Sequence, residues 1–245
     1  MPDIFVAICV GNFKSVKQFV AWDSENVNIQ NYDQRTPLDF AIVEGKLDIA
    51  QFLFEKGGRP NLDIYRDGKW TPVHWAAKSR SIETLNWVFA EGVLPLSTLN
   101  IKCSGWTPID IAIAHGRLEI AQFLFEKGGR PNLKIHCDGE DTPVHHAARR
   151  GCTETLKWIF TEKILPLRVL QIKDDNGRTP LNCAIYQKEW RTASLIQRLP
   201  IDYVFLAMQR AKRDNHQCAL RQLPDELLDM VVDEVATRFR LKVVW

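Results

Sequence analysis

Five residues stand close enough along the chain to suggest metal chemistry: His136 and Cys137, then His145 and His146, then Cys152. Imidazole and thiolate are the usual zinc ligands, but a structural zinc site takes two tightly spaced ligand pairs, and this spacing fits none of the usual patterns. No metal and no cofactor are expected. The six cysteines (Cys9, Cys103, Cys137, Cys152, Cys183, Cys218) include no C-x-x-C pair and read as small apolar residues of a reducing compartment. Two GGRPN segments, opening at Gly57 and Gly128, carry the glycines of a phosphate loop. They close helical patterns, however, whereas an anion site needs glycines that open one. Neither G-x-S-x-G nor H-E-x-x-H occurs. Without convergent reactive groups, the expectation is a protein that is not an enzyme.

The chemistry left is that of recognition. Trp, Tyr and Arg dominate interface energetics, and the candidates for partner binding are Tyr32, Arg35, Trp70, Trp75, Trp106, His146, Arg149, Arg150 and Arg178. Trp70 and Trp106 each precede a Thr-Pro pair at a turn, where each either packs on the adjacent turn or meets a partner. The 245 residues carry 32 basic side chains against 30 acidic ones, and no quarter of the chain departs from neutral by more than two charges. Nucleic acid or an anionic membrane would normally call for a basic excess, so neither is an expected partner. No apolar run is long enough for a membrane span, and the first residues lack a secretory signal. A cytoplasmic or nuclear monomer is expected.

The elements that position these residues are repeats. AQFLFEKGGRPNL occurs at Ala50 and again at Ala121, and TPVHWAAKSRSIETLNWVFAEGVLPL from Thr71 is answered by TPVHHAARRGCTETLKWIFTEKILPL from Thr142, both displaced by 71 residues. Each block holds two units, since Thr-Pro recurs at Thr36, Thr71, Thr107, Thr142 and Thr179 with spacings of 35, 36, 35 and 37. Threonine can cap a helix, and proline at the first helical position gives up an N–H that would have no partner anyway. A short first helix with small residues follows, then a glycine turn (Gly45, Gly116, Gly151), then a second apolar-striped helix, for example Leu47, Ala50, Phe52, Leu53 and Phe54, closed by Gly57-Gly58 or Gly128-Gly129. Turns at Asp67-Gly68, Ser104-Gly105, Asp138-Gly139 and Asn176-Gly177 lead to the next Thr-Pro. Val93–Leu99 and Ile164–Leu170, with Pro95 and Pro166, lengthen the second type of unit and should distort it locally.

With these residues in place, DGKWTPVHWAAKSRSIETLNWVF, SGWTPIDIAIAHGRLEIAQFLF and DNGRTPLNCAIYQKEWRTASLI resemble the ankyrin repeat, over about residues 4–198. AICVGNFKSVKQFV from Ala7 matches the helical part of a unit and reads as a cap. The resemblance implies an all-α solenoid of about six helix-turn-helix repeats with short turn or hairpin fingers, occupying residues 1–198, and a surface that binds a target protein. The family's T-P-L-H histidine is present as His74 and His145, replaced by Asp39, Asp110 and Asn182, and implies a structural tie between repeats. In the last unit Lys188 stands where the glycine is expected.

Residues 199–245 break the pattern. IDYVFLAMQRAKR and ALRQLPDELLDMVVDEVATRFRLKVVW read as two amphipathic helices around a DNHQ break. Leu223, Pro224, Glu226, Leu227, Leu228, Val231 and Val232 resemble the opening of an F-box, although a full F-box runs about twice as far and this chain ends at Trp245. The arrangement is similar to ankyrin proteins of the poxvirus type and of intracellular bacteria. It implies recruitment of a cullin ubiquitin ligase through a Skp-type adaptor, in a host-pathogen setting. The alternative is a plain binding or masking scaffold whose C-terminal helices only cap the solenoid.

Overall fold

A computed structural model of the chain describes residues 3–61, 70–79, 81–132 and 141–200. The chain divides into two compact units, Met1–Ile135 and His136–Trp245. In the first, the helices are α1 (Ile4–Cys9), α2 (Phe13–Trp22), α3 (Pro37–Val43), α4 (Leu47–Glu55), α5 (Pro72–Lys78), α6 (Ile82–Ala90), α7 (Pro108–Ala114) and α8 (Leu118–Glu126). They pair as α1 with α2, α3 with α4, α5 with α6 and α7 with α8, while the short inner helices α1, α3, α5 and α7 pack in series. In the second unit α9 (Pro143–Arg149) pairs with α10 (Thr153–Thr161) and packs on α11 (Pro180–Tyr186), and residues 190–200 form a further helix, α12.

Every Thr-Pro pair begins an inner helix as the sequence predicts. Thr36, Thr71, Thr107, Thr142 and Thr179 are N-caps with extended backbone, and the proline occupies the first helical turn. Alanines let the inner helices approach closely: Ala41, Ala76, Ala77, Ala112, Ala147, Ala148 and Ala184 are buried. Between them Leu38, Ile42, Leu53, Leu85, Ile109, Ile113, Leu124 and Leu156 are fully buried. Each such side chain contributes about 1.5–3 kcal/mol relative to an exposed one. Trp87 packs edge-on against Phe54, with ring centroids 5.8 Å apart, which gives this outer-helix tryptophan a structural place.

The GGRPN segments close helices, as expected. The amide of Gly58 reaches back to the Leu53 carbonyl at 2.8 Å, and that of Gly129 to Leu124 at 2.8 Å. Asn28 and Asn100 then hold the segment by accepting from the Arg59 and Arg130 amides. Their amides are spent on chain closure, in keeping with their lack of phosphate-loop character. The anticipated distortion in the longer units is a packed 3-10 turn, Leu96–Asn100 after Pro95 and Leu167–Gln171 after Pro166, which buries Leu99, Val169 and Leu170.

Between the helices of a pair Gly45, Gly116 and Gly151 take positive φ, and Lys188 takes the same turn at φ 62°. A side chain there costs about 1–2 kcal/mol, so the last unit carries at this turn a strain that the three glycine turns avoid. The fingers are turns: Asn31–Arg35 and Asp174–Arg178 close through two backbone bonds each, and Cys103 and Trp106 exchange two at 2.9 Å to make a minimal hairpin. The N-terminal helix pair lacks Thr-Pro and starts from an Asp3 cap; Val6 on α1 and Val10 at its C-terminal cap are exposed. The turns at Asp67-Gly68 and Asp138-Gly139, with His136, Cys137 and the whole of residues 201–245, lie outside the described residues.

Candidate functional site

The residues that look most like catalysts are occupied in holding the fold. His74 and His145 are fully buried. The Nδ1 of each faces its own Thr hydroxyl at 2.8 Å, and Nε2 meets the trailing finger: the Trp106 carbonyl for His74, the Ile172 and Arg178 carbonyls for His145, all at 3.0 Å. A carbonyl oxygen only accepts, so Nε2 carries the hydrogen and the ring is neutral. Burial pushes both pKa values down. Asp39 and Asp110 answer the opposite need. Each Oδ2 accepts from its cap threonine and from a trailing amide, Asn61 for Asp39 and Asn132 for Asp110, at 3.0 Å. Burial raises the pKa of Asp39, against the bonds from Asn61 and Thr36. Among the described residues, no group of three or more His, Cys, Asp or Glu side chains is arranged to hold a metal ion.

Except for Tyr32 and Arg150, the recognition candidates fall at three recurring places: the residue before Thr-Pro, and the fourth and seventh residues after that threonine. In the first unit these places bring Arg35, Trp70, Trp75 and Lys78 together. Trp70 and Trp75 stack with centroids 4.8 Å apart and planes tilted by 55°. The Arg35 guanidinium lies 5.0 Å from the Trp75 centroid, and the Lys78 ammonium lies 5.5 Å from Trp75 and 5.9 Å from Trp70. These are cation–π distances. Trp70 is therefore not a bare turn tip: it is half-buried against the helix that follows it. The Trp75 Nε1 is buried with no hydrogen-bond partner among the described residues. Trp106 is half-buried at the base of its hairpin and serves His74 through its carbonyl. Tyr32, at the tip of the first finger, is 89% exposed.

The same places in the second unit build an ionic cluster. Arg149 donates to Asp141 and, at 3.5 Å, to Asp174. Burial disfavours the Arg149 charge, but the bond to Asp141 outweighs it and the pKa is raised. His146 places Nε2 3.1 Å from Asp141 and Nδ1 3.1 Å from the guanidinium of Arg150, which can only donate. Burial lowers the His146 pKa, with Asp141 pulling the other way. Arg178 stacks 4.9 Å from the Tyr186 ring and approaches Asp174 at 3.9 Å. Asp174 is the residue the sequence did not single out. It is 5% exposed and accepts from the Asn176 and Arg178 amides at 2.9 Å. Burial would raise its pKa, yet these amides hold it below the usual carboxylate range. The Asp-Asp-Asn-Gly run at the finger was the available signal, as the side chain of such an Asp folds back on its own turn. Asp141, Arg149, Asp174, Arg178, Tyr186 and Gln187 line an open groove of about 300 Å³. The F-box-like residues Leu223, Pro224, Glu226, Leu227, Leu228, Val231 and Val232 lie outside the described residues.

Known proteins share this organisation. Residues 59–135 match the family model for ankyrin repeats, which spans 3 copies. Ankyrin repeat and SAM domain-containing protein 6 of Rattus norvegicus is 27% identical over 209 residues, covering 81% of this chain and 21% of that protein. The chain thus spans about a fifth of that relative's length. The probable 26S proteasome regulatory subunit p28 of Saccharomyces cerevisiae is 28% identical over 189 residues, 76% of this chain and 80% of the subunit. The B-cell lymphoma 3 protein of Homo sapiens is 28% identical over 158 residues, 62% of this chain and 33% of that one. A chain in the solved complex of the predatory endopeptidase Bd0816 from Bdellovibrio bacteriovorus with immunity protein Bd3460 superposes with a TM-score of 0.58 at 22% identity, covering 81% of this chain and 98% of that one. This last likeness is one of fold. The chain carries ankyrin repeats, and its fold is the all-α ankyrin-repeat solenoid. Among the described residues no helix is long and apolar enough to cross a membrane.

Proposed function

We propose that this protein is a binding scaffold that captures a partner protein on the surface formed by its fingers and inner helices. The observation that carries this reading is the division of labour within each unit. The polar groups that look most like catalysts, His74, His145, Asp39 and Asp110, are buried and bonded to cap threonines and to trailing backbone, whereas the positions around them present Trp70, Trp75, Arg35, Arg149, Arg178 and Tyr186, all of types that dominate interface energetics. Tyr32, Trp106, His146 and Arg150 complete the proposed surface.

The finer reading is that of a substrate adaptor, in which residues 223–232 dock a Skp-type subunit of a cullin ubiquitin ligase while the repeats hold the target. It is supported by the L-P-x-E-L-L pattern at Leu223–Leu228, continued by Val231 and Val232, and by its place after a repeat array. Joining two binding modules in one chain would raise the concentration of one partner near the other. Affinity capture from cell extract, with the full chain and with residues 199–245 removed, tests both layers. The target should be retained by both forms and the Skp-type adaptor only by the full chain, with Leu227→Asp plus Leu228→Asp abolishing its co-purification. Purified adaptor that fails to associate with the native chain would end the ligase reading. A chain that melts lower or aggregates once residues 214–245 are removed would favour the cap.

A further inference from the structure

We infer that the Trp70–Trp75 platform, edged by Arg35 and Lys78, docks an acidic segment of the partner protein. This rests on the scaffold reading and names the chemistry of what is captured. Arg35 and Lys78 both lie within 5.5 Å of the centroid of the Trp75 ring, so two like charges share one aromatic ring. Among the described residues neither forms an ion pair, and neither side chain donates a hydrogen bond. A third cation adjoins them: Arg117 donates from Nε to the Lys78 carbonyl at 3.0 Å and likewise forms no ion pair among the described residues. Asp39 senses the Arg35 charge, but its carboxylate is buried and committed to Thr36 and Asn61.

The second unit shows what neutralisation at these positions looks like. There the counterparts of Trp70 and Lys78 are Asp141 and Arg149, bonded to one another, and Asp174 supplies a second carboxylate. In the first unit the positions of these two carboxylates are held by Trp70 and Cys103, and the cations rest on rings that strip water from one side of each charge. A guanidinium seated in this way keeps its N–H edge for a bidentate carboxylate. The indoles offer the apolar neighbour that an Asp or Glu side chain flanked by hydrophobic residues would cover. Stacked nucleobases fit less well, because the Trp70 and Trp75 planes are inclined by 55° at a centroid distance of 4.8 Å and do not form a flat stacking surface.

The test is selection of a random displayed peptide library on the full chain, followed by titration of the selected peptides against intrinsic tryptophan fluorescence. Peptides enriched in Asp and Glu are expected. They should bind about tenfold or more weakly to Arg35→Met plus Lys78→Met, and increasingly weakly at high salt. Arg35→Glu plus Lys78→Glu, with an unchanged circular dichroism spectrum, should select basic peptides instead. Binders without acidic enrichment, or binders equally tight on the double variants, would overturn the assignment while leaving a scaffold that binds elsewhere. A library that yields no binder would overturn this inference and the scaffold reading together. Oligothymidine binding as tightly as the acidic peptides would also overturn it, in favour of a general polyanion surface.

Discussion

Before the second Thr-Pro of the first unit stands Trp70, and at the same place 71 residues later stands Asp141; Trp75 is answered by His146 and Lys78 by Arg149. Beneath them the capping bonds recur. Thr71 with His74 and Thr142 with His145 make the same bonds at the same distances, and each histidine reaches a carbonyl of its trailing finger at 3.0 Å. The buried layer is constrained because each backbone group there needs one particular kind of partner. The outer layer has no such obligation, so one copy seats its cations on indoles and the other seats them on carboxylates. Duplication therefore left two faces of different chemistry on one kind of support.

The comparison breaks most severely if the support itself is altered. His74→Asp would face the Trp106 carbonyl with a carboxylate that cannot donate, in a site with no exposure, and should cost about 3 kcal/mol or more. Urea unfolding of the full chain measures it; a loss below about 1 kcal/mol would show that donor and acceptor polarity does not decide which residue follows Thr-Pro. A smaller effect separates the two faces. Trp75→Ala removes a half-buried indole along with its stacking on Trp70, for about 2 kcal/mol. His146→Ala, which breaks partly exposed polar bonds, should cost about 1 kcal/mol or less. Equal losses would mean that the aromatic face is no more a packing element than the ionic one.

The smallest effect is the pH dependence. His74, His145 and His146 all have pKa values lowered by burial, so the unfolded chain takes up protons first as pH falls through the ordinary histidine value of 6.5. The stability they provide is present above that value and is lost on acidification below it. His146→Gln should flatten the slope of stability between neutral pH and pH about 5, whereas Trp75→Ala should leave it unchanged, since tryptophan does not titrate. A slope unmoved by His146→Gln would show that protonation of His146 costs the folded state nothing.

The helical frame was readable because the repeat states each boundary several times. Thr-Pro marks five inner helices, and Gly57-Gly58 and Gly128-Gly129 end two outer ones through the same backward bond. The surface was readable only as a set of residue types. That Arg35 lies over Trp75 depends on a finger meeting a helix 40 positions further on, and nothing local in either segment encodes it. The Asp67-Gly68 pair places Trp70 at a turn tip in the sequence; its contact with the Trp75 ring follows from the direction in which α5 leaves the cap. Asp174 escaped notice because a carboxylate in a turn is ordinary, and its value comes from Arg149 arriving from α9. The glycine missing at Lys188 was visible, but its consequence, a lysine held at positive φ, required the backbone.

The cap residues also set where this chain can be cut and rejoined. Asp39 and Asp110 receive an amide from the loop after their own outer helix, whereas His74 and His145 give a hydrogen to a carbonyl of theirs. Cap and loop of one unit therefore travel as a matched pair. A crossover at a Thr-Pro border keeps every pair intact, so whole units can be shuffled as cassettes. One placed between inner helix and trailing loop would join acceptor to acceptor or donor to donor, which makes the cassette boundary a property of hydrogen-bond polarity as well as of sequence period.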